Sequence, residues 1–322
     1  MILLWGVPGD GPLDRVHEAL RRAGAPIAFF DQRAIADTRL ELVIEADATV
    51  GGSLETPDQA VDLRAVTAAY LRSYDCRRIP RVRQAGPGSA LWQHALDLED
   101  TLSCWADLTP AQVINRPAAM ASNNSKPYQT NQIRDTGFAV PETLVTTDPD
   151  AVLAFWQRHG AVIYKSNSGV RSIVARLTDM HRERLGDVAW CPTQFQQYIP
   201  GVDNRVHVIR DWVFASEIRS APGDIAYEDY RYASRDGVEI TIRAATLPSD
   251  VADRCRALTA DLGLSLSGID LRLTPTGEWY CFEVNPSPAF TYYQEATGQP
   301  IAEAIAALLI KTPYNPHRPH PT

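Results

Sequence analysis

Gly268-Ile269-Asp270-Leu271, followed after a short turn by Trp279-Tyr280-Cys281-Phe282-Glu283-Val284-Asn285-Pro286, reads as two adjacent strands. The intervening Thr274-Pro275-Thr276-Gly277-Glu278 has the composition of a turn, and its flanks are apolar and suited to extended chain. Asp270 and Glu283 lie thirteen positions apart, so each strand carries one carboxylate. The period of two places Glu283 and Asn285 on one face, opposite Phe282 and Val284. Asp, Glu and Asn then converge as the hard oxygen donors that Mg2+ takes when it is shared with water and substrate phosphates. The competing reading is a hairpin with a solvated polar face, the usual state of an antiparallel strand.

The totals set outer bounds. At 322 residues the chain exceeds one compact core and suggests two or three domains. Hydrophobic content of 45% and charged content of 22% are those of a soluble globular protein, and no apolar run approaches the roughly 18 residues that span a bilayer. Met1-Ile2-Leu3-Leu4-Trp5 has no basic flank and is soon broken by glycines, so it reads as a buried first strand, not a signal peptide. A cytoplasmic protein without membrane contact is expected. Five scattered cysteines never take the C-x-x-C spacing, which supports neither a disulfide framework nor a zinc site. A net charge of −8 argues against nucleic-acid binding. Arg77, Arg78, Arg81 and Arg83 form the densest basic patch, either a solvated loop or a docking surface for an acidic partner.

Outward from the hairpin, the N-terminal third reads as strand, helix, strand (Ile2 to Val7, Leu13 to Ala23, Pro26 to Phe30), then a hairpin around Ala46-Asp47 and a strand at Ala68 to Arg72. Gly6, Gly9 and Gly11 match neither phosphate-loop spacing and read as an ordinary turn. A helix over Leu91 to Trp105 precedes a domain boundary near residue 118. A helix opened by Ser125-Lys126-Pro127-Tyr128-Gln129 and ending at Gly137, and another over Asp150 to His159, follow, and then the strand Ala161 to Lys165. Lys165 stands at a strand end before the small-residue loop Ser166-Asn167-Ser168-Gly169, an arrangement suited to phosphate because the backbone approaches closely and the ammonium adds a mobile charge. Further strands run over Thr193 to Pro200, Asp203 to Ile209 and Val213 to Ile218, and helices over Pro248 to Leu262 and residues 301 to 310. The Pro- and His-rich tail lacks the apolar content to pack, and its His317 and His320 read as disordered chain rather than metal ligands.

Taken in order, Lys126, Lys165 and its loop, Gln197-Tyr198-Ile199, Asp203-x-Arg205, Arg231, Asp270 and Glu283-x-Asn285 resemble the ATP-grasp superfamily over about residues 110 to 310. Within it the chain resembles the RimK-like branch, and most of all the graspetide ligases that cyclise ribosomal peptides such as microviridins. Phe195-Gln196-Gln197-Tyr198-Ile199-Pro200, Arg205-Val206-His207-Val208, Val213 to Ile218, Asp229-Tyr230-Arg231-Tyr232 and Phe282-Glu283-Val284-Asn285-Pro286 carry that likeness. Two positions depart from the family pattern: Gln197 stands where Glu is usual, and Pro-Ser-Pro-Ala-Phe follows Asn285 in place of Pro-x-Gly.

The resemblance implies an α+β protein with an α/β N-terminal domain (1–117), a central lobe (118–200) with the Lys165 loop, a C-terminal lobe (201–312) with the metal site and a flexible tail (313–322). It implies ATP and Mg2+. Lys126, Lys165, Ser168 and Gly169 would contact phosphates, Gln197 and Ile199 the adenine edge, and Asp203 the ribose. Asp270, Glu283 and Asn285 would hold metal. Arg205 and Arg231 would be catalytic at the γ-phosphate or acyl phosphate. Read singly, Lys126 is equally a solvated helix-start lysine, and Arg205 or Arg231 a cross-strand ion-pair partner. His207 is either a general base or a packed histidine, and Tyr292 and Tyr293 either line an acceptor pocket or fill the core. The implied activity activates a carboxylate as acyl phosphate and joins it to an amine or hydroxyl, in a precursor peptide. Ligation of free amino acids or small metabolites, and an inactive nucleotide-binding regulator, are the alternatives. A homo-oligomer is left open.

Overall fold

The computed structural model describes residues 1–121, 126–166, 174–220 and 239–311. Ser168, Gly169, Arg231, the Asp229 to Tyr232 motif and the tail 313–322 lie outside the described residues.

The N-terminal apolar runs form a parallel sheet. β1 (Ile2–Gly6) leads through α1 (Gly11–Arg22) to β2 (Ile27–Asp31). Asp10 caps α1 by accepting from the Leu13 N–H, and Pro12 sits in the first turn, where a missing N–H costs nothing. An antiparallel meander follows, β3 (Arg39–Ile44), β4 (Val50–Glu55) and β5 (Ala60–Asp62), and then β6 (Ala68–Leu71). The short α2 (Pro80–Ala85) and the long α3 (Ala90–Leu108) precede β7 (Gln112–Ile114). The parallel sheet has the order β2-β1-β6-β7 and is covered on both faces, which is why β1 is apolar at every position. Leu3, Trp5 and Phe30 pack with Leu98, Leu102 and Trp105 on one side, while Ile2 and Leu4 pack with Leu13, Val16 and Leu20 on the other.

After α4 (Pro117–Met120) and α5 (Lys126–Asp135) comes a second, antiparallel sheet. Its strands are β8 (Thr143–Thr146), β9 (Val162–Ser166), β10 (Ala175–Arg176) and β11 (Thr193–Gln197), in the order β10-β9-β11-β8. α6 (Pro149–His159) covers it, and Val152 and Phe155 meet Val162 and Phe195 in a separate small core.

The third unit is an antiparallel sheet of β12 (Val202–Ile209), β13 (Trp212–Ser220), β14 (Ile240–Ala245), β15 (Leu266–Leu273) and β16 (Trp279–Asn285), with α7 (Ser249–Asp261) between β14 and β15. Its order is β14-β13-β12-β15-β16, so β16 is an edge strand. α5 and α7 cover one face. α8 (Thr291–Thr297) and α9 (Ile301–Lys311) complete the described residues, and Ile301, Ile305 and Leu309 pack in the α1 side of the N-terminal core. β14, α8 and a run of 3-10 turns over Asp179–Trp190 are elements the sequence reading did not identify.

One expected pattern is overturned. Phe282 does not face the core with Val284, because a bulge interrupts the β15–β16 register between Asp270 and Leu271. Asp270 pairs with Glu283, but Leu271 pairs with Cys281. The extra residue shifts the alternation, so Cys281 and Val284 are the buried pair and the Phe282 ring lies 5.1 Å from the Arg272 guanidinium.

Candidate active site

Three adjacent strands place their polar side chains in rows. Arg205 on β12, Asp270 on β15 and Glu283 on β16 are directly opposite one another in register. The neighbouring row toward one end is Asp203, Arg272 and Tyr280, and toward the other it is His207, Gly268 and Asn285. The metal-ligand candidates thus come together at the edge of one sheet, where direct pairing puts Glu283 on the same face as Asp270 and the bulge follows immediately beyond it.

Arg205 Nη1 donates to Asp270 Oδ1 at 2.6 Å, with the arginine side chain 8% and the aspartate 28% exposed. The cross-strand ion-pair reading of Arg205 is therefore realised. Burial pushes the Asp270 carboxyl above the usual aspartate range; Arg205 pulls it back and Glu283 pushes it up again. Gly268 makes room for the guanidinium, since a Cβ there would lie 2.3 Å from Arg205 Nη2 and 2.6 Å from Pro288 Cβ. Asn285 Oδ1 accepts from the Ser287 N–H at 2.9 Å, which turns the chain sharply after β16.

The second row answers what Asp203 does in this structure. Arg272 grips it with Nε at 2.7 Å and Nη2 at 2.9 Å, and Nη1 of the same fork donates to the Ile199 carbonyl at 2.8 Å. Arg272 thereby ties Ile199, in the linker between β11 and β12, to β15. Gln197 ends β11, and its N–H donates to the Glu142 carbonyl at 2.9 Å.

Lys165 lies on β9, 8% exposed and in register with Gln194 of β11. Gln194 is buried as well, and its Oε1 has no hydrogen-bond partner among the described residues. Lys126 opens α5. His207 is fully buried, edge-on to Phe290 at 6.4 Å and beside Tyr293 at 5.2 Å, and burial together with Arg205 holds it well below the usual histidine range. It is a packed histidine, not a base in contact with substrate. Tyr293 is buried against it, whereas Tyr292 is exposed.

Four positioning side chains were not singled out from sequence. Arg72, 11% exposed on its side chain, joins Asp10 to the segment after Asn285: it pairs with Asp10 at 2.5 and 3.0 Å and donates to the Pro288 carbonyl at 3.1 Å and to Ser287 Oγ at 3.2 Å. Buried Asn115 donates to the Pro286 carbonyl at 2.6 Å and accepts from the Ser265 N–H at 2.7 Å. Gln129 and Arg272 are the others. Only Arg272 carried a readable signal, being two residues beyond Asp270 on one strand face. The basic patch stays on the surface, with much of its charge met locally: Arg77 pairs with Asp75 at 2.7 Å, Arg81 with Asp37, and Arg78 stacks over Tyr74.

Among the described residues no group of three or more His, Cys, Asp and Glu side chains is arranged to hold a metal ion by itself. The donor set that is present, Asp270 and Glu283 in register with Asn285 beyond, suits Mg2+ held partly by protein and partly by phosphate and water, and not a closed protein cage. The buried Gln194 oxygen, on the strand residue that pairs with Lys165, is the kind of polar position that a nucleotide or its water would satisfy.

Comparison with known proteins agrees at the level of the whole chain. No protein-family model and no curated protein matches. Solved structures do. A Chryseobacterium gregarium RiPP-associated ATP-grasp ligase, in complex with ADP and a leader and core peptide, superposes with a TM-score of 0.81 at 23% identity over 97% of each chain. The macrocyclase MdnC of Microcystis aeruginosa, bound with precursor peptide MdnA, gives 0.78 at 23% identity over 97% of this chain and 99% of its own. The ATP-grasp ligase PsnB, complexed with minimal precursor, Mg and ADP, gives 0.74 at 27% identity over 96% of each chain.

Proposed function

We propose that this chain, which has the ATP-grasp fold, is an ATP- and Mg2+-dependent ligase that closes ester or amide bonds within a precursor peptide. The observation that carries the reading is the row Arg205, Asp270, Glu283 at the edge of the third sheet, with Asn285 beyond. It stands in a chain that aligns end to end with ligases solved with ADP, Mg and precursor peptide.

In this reading a peptide carboxylate takes the γ-phosphoryl group of ATP, and ADP leaves. The carboxylate, a poor electrophile, becomes a mixed anhydride. A hydroxyl or amine of the same peptide then attacks the acyl carbon, its proton is lost, and phosphate departs. One water is removed for each bond closed. Bound Mg2+ would neutralise charge on the β- and γ-phosphate oxygens. Asp270, Glu283 and Asn285 are the residues that would hold it.

Lys126, Lys165, Ser168 and Gly169 contact the phosphates. Gln197 and Ile199 line the adenine edge. Arg272 fixes Asp203 near the ribose and holds Ile199 in place. Arg205 keeps Asp270 oriented and, with Arg231, meets charge that develops on the transferred group. Arg72 and Asn115 secure the Pro286 to Pro288 segment that bounds the reacting centre. Among the described residues no helix is long and apolar enough to cross a membrane. We place the reaction in the cytoplasm, where ATP and newly made peptide meet.

The test is ADP release with ATP and Mg2+, offering acidic precursor peptides and, separately, a panel of free amino acids, with product mass read in each case. Loss of one water per bond from a single peptide is the expected result. A condensed adduct of two free molecules would replace the peptide reading with small-molecule ligation. Nucleotide binding without turnover on any substrate would leave a regulatory protein instead.

A further inference from the structure

We infer that Gln129 is a positioning residue for the metal ligands, holding the Glu283-Val284-Asn285 segment by standing in for a missing neighbour strand. The inference rests on the proposed metal role of Glu283 and Asn285.

β16 is the edge of its sheet, so the N–H and C=O groups on its outer side have no strand to pair with. At Val284 the Gln129 carboxamide takes that place. Its Oε1 accepts from the Val284 N–H at 2.9 Å and its Nε2 donates to the Val284 carbonyl at 2.7 Å. This is the two-bond pattern that a further strand would supply. Gln129 is 4% exposed, so an unmet partner on either side would be left without water. Ala139 does the same with its backbone at the other end of the strand, accepting from the Cys281 N–H at 2.9 Å and donating to the Trp279 carbonyl at 3.2 Å.

Between these two supports lies the bulge at Phe282, where pairing with β15 is interrupted. The residues carrying Glu283 and Asn285 are therefore held from inside by only a short stretch of ladder. From outside they are held at Val284, the residue between them. Gln129 also sits one turn into α5, the helix that Lys126 opens, so one side chain fixes the start of that helix to the metal strand.

Two measurements test this, and neither depends on turnover. The first is amide hydrogen exchange. In the wild-type protein the Val284 N–H is expected to be protected like the amides of central β15, and Gln129→Ala and the shape-conserving Gln129→Met should each speed its exchange at least about tenfold. The second is Mn2+ affinity, read by electron paramagnetic resonance with a non-hydrolysable ATP analogue bound. It should weaken about 10- to 100-fold in both variants, as for loss of a residue that orients a metal ligand. Affinity for the analogue without metal should stay within about twofold.

Unchanged Mn2+ affinity would overturn the inference, as would an equal loss of metal-free nucleotide binding. If both variants fail to fold, the wild-type exchange decides alone: a Val284 amide that exchanges like an open edge amide sinks it. Absence of Mn2+ binding to the wild-type complex would overturn the metal reading itself, while exchange at Val284 still reports whether Gln129 holds the strand.

Discussion

Arg205 and Asp270 face each other directly across β12 and β15 and are joined by a charge-assisted hydrogen bond of 2.6 Å. The register matters as much as the distance, because the next residue in the same row is a second carboxylate, Glu283. Arg205 thus stabilises a site that would otherwise hold two like charges at a half-buried sheet edge. Replacing Arg205 by Ala is expected to cost about 3 kcal/mol, toward the lower end for a buried pair because Asp270 is partly exposed. The double variant Arg205→Ala/Asp270→Ala should lose clearly less than the sum of the two single variants in urea unfolding. Strict additivity would show that the pair contributes nothing.

Gly268 is where that pair sets a steric demand. Gly268→Ala brings a methyl group to 2.3 Å from Arg205 Nη2 and 2.6 Å from Pro288 Cβ. The guanidinium is anchored by Asp270 and Pro288 by Arg72, so neither neighbour gives way without breaking a hydrogen bond. We expect a stability loss of about 1–3 kcal/mol and a larger proportional loss of turnover. A variant with wild-type melting temperature and activity would show that the guanidinium moves freely.

Glu283→Gln keeps the shape of the side chain and removes its charge. The fold and melting temperature should survive, while Mg2+-dependent ADP release should fall at least about 100-fold. Retained activity would remove Glu283 from the metal site.

Arg272→Lys addresses the nucleotide side. One ammonium cannot reproduce a fork that grips both oxygens of Asp203 and also reaches the Ile199 carbonyl. Loss of about one charge-assisted bond, on the order of 1.5 kcal/mol, should raise KM for ATP about tenfold with a smaller change in kcat. A fall in kcat at unchanged KM would detach Arg272 from nucleotide binding.

How much of this was legible in the sequence follows from what each feature depends on. The hairpin with Asp270 and Glu283 was readable because strand alternation and a Gly-containing turn are local signals. The helices beginning near Leu91, Lys126 and Pro248 were readable for the same reason. The reversal of Phe282 was not, because a bulge is settled by pairing with another strand and leaves the local composition unchanged. Nor were Gln129, Asn115 and Arg72: each contacts a segment more than 150 residues away, and no local pattern distinguishes a carboxamide that caps an edge strand from one in solvent. Asp203 stood out in the sequence as a candidate, but its partner Arg272 lies 69 residues further on and emerges only from the β12–β15 register.

His207 gives a pH dependence whose direction follows from its burial. The side chain is fully enclosed beneath Phe290 and Tyr293, with the Arg205 cation beside it, and its protonation is pushed well below the ordinary value of 6.5. In the unfolded chain it titrates near that ordinary value. Below about pH 6.5 the unfolded state therefore binds a proton that the folded state does not, and the equilibrium shifts toward unfolding as pH falls. Stability from this group is complete above about pH 6.5 and declines by up to about 1.4 kcal/mol for each pH unit below it. Urea unfolding of the wild type and of His207→Gln at pH 7.5 and pH 5.5 isolates the effect, because all other titrating groups are common to both proteins. The wild type should lose about 1 kcal/mol more than the variant over that interval. An equal loss in both would mean that His207 titrates in the folded protein as it does in the unfolded chain, and the packed, neutral assignment would fail. A group that stays neutral across this range also sets no limb of the pH–rate profile, so the acidic limb of ligation should be unchanged in a folded His207 variant.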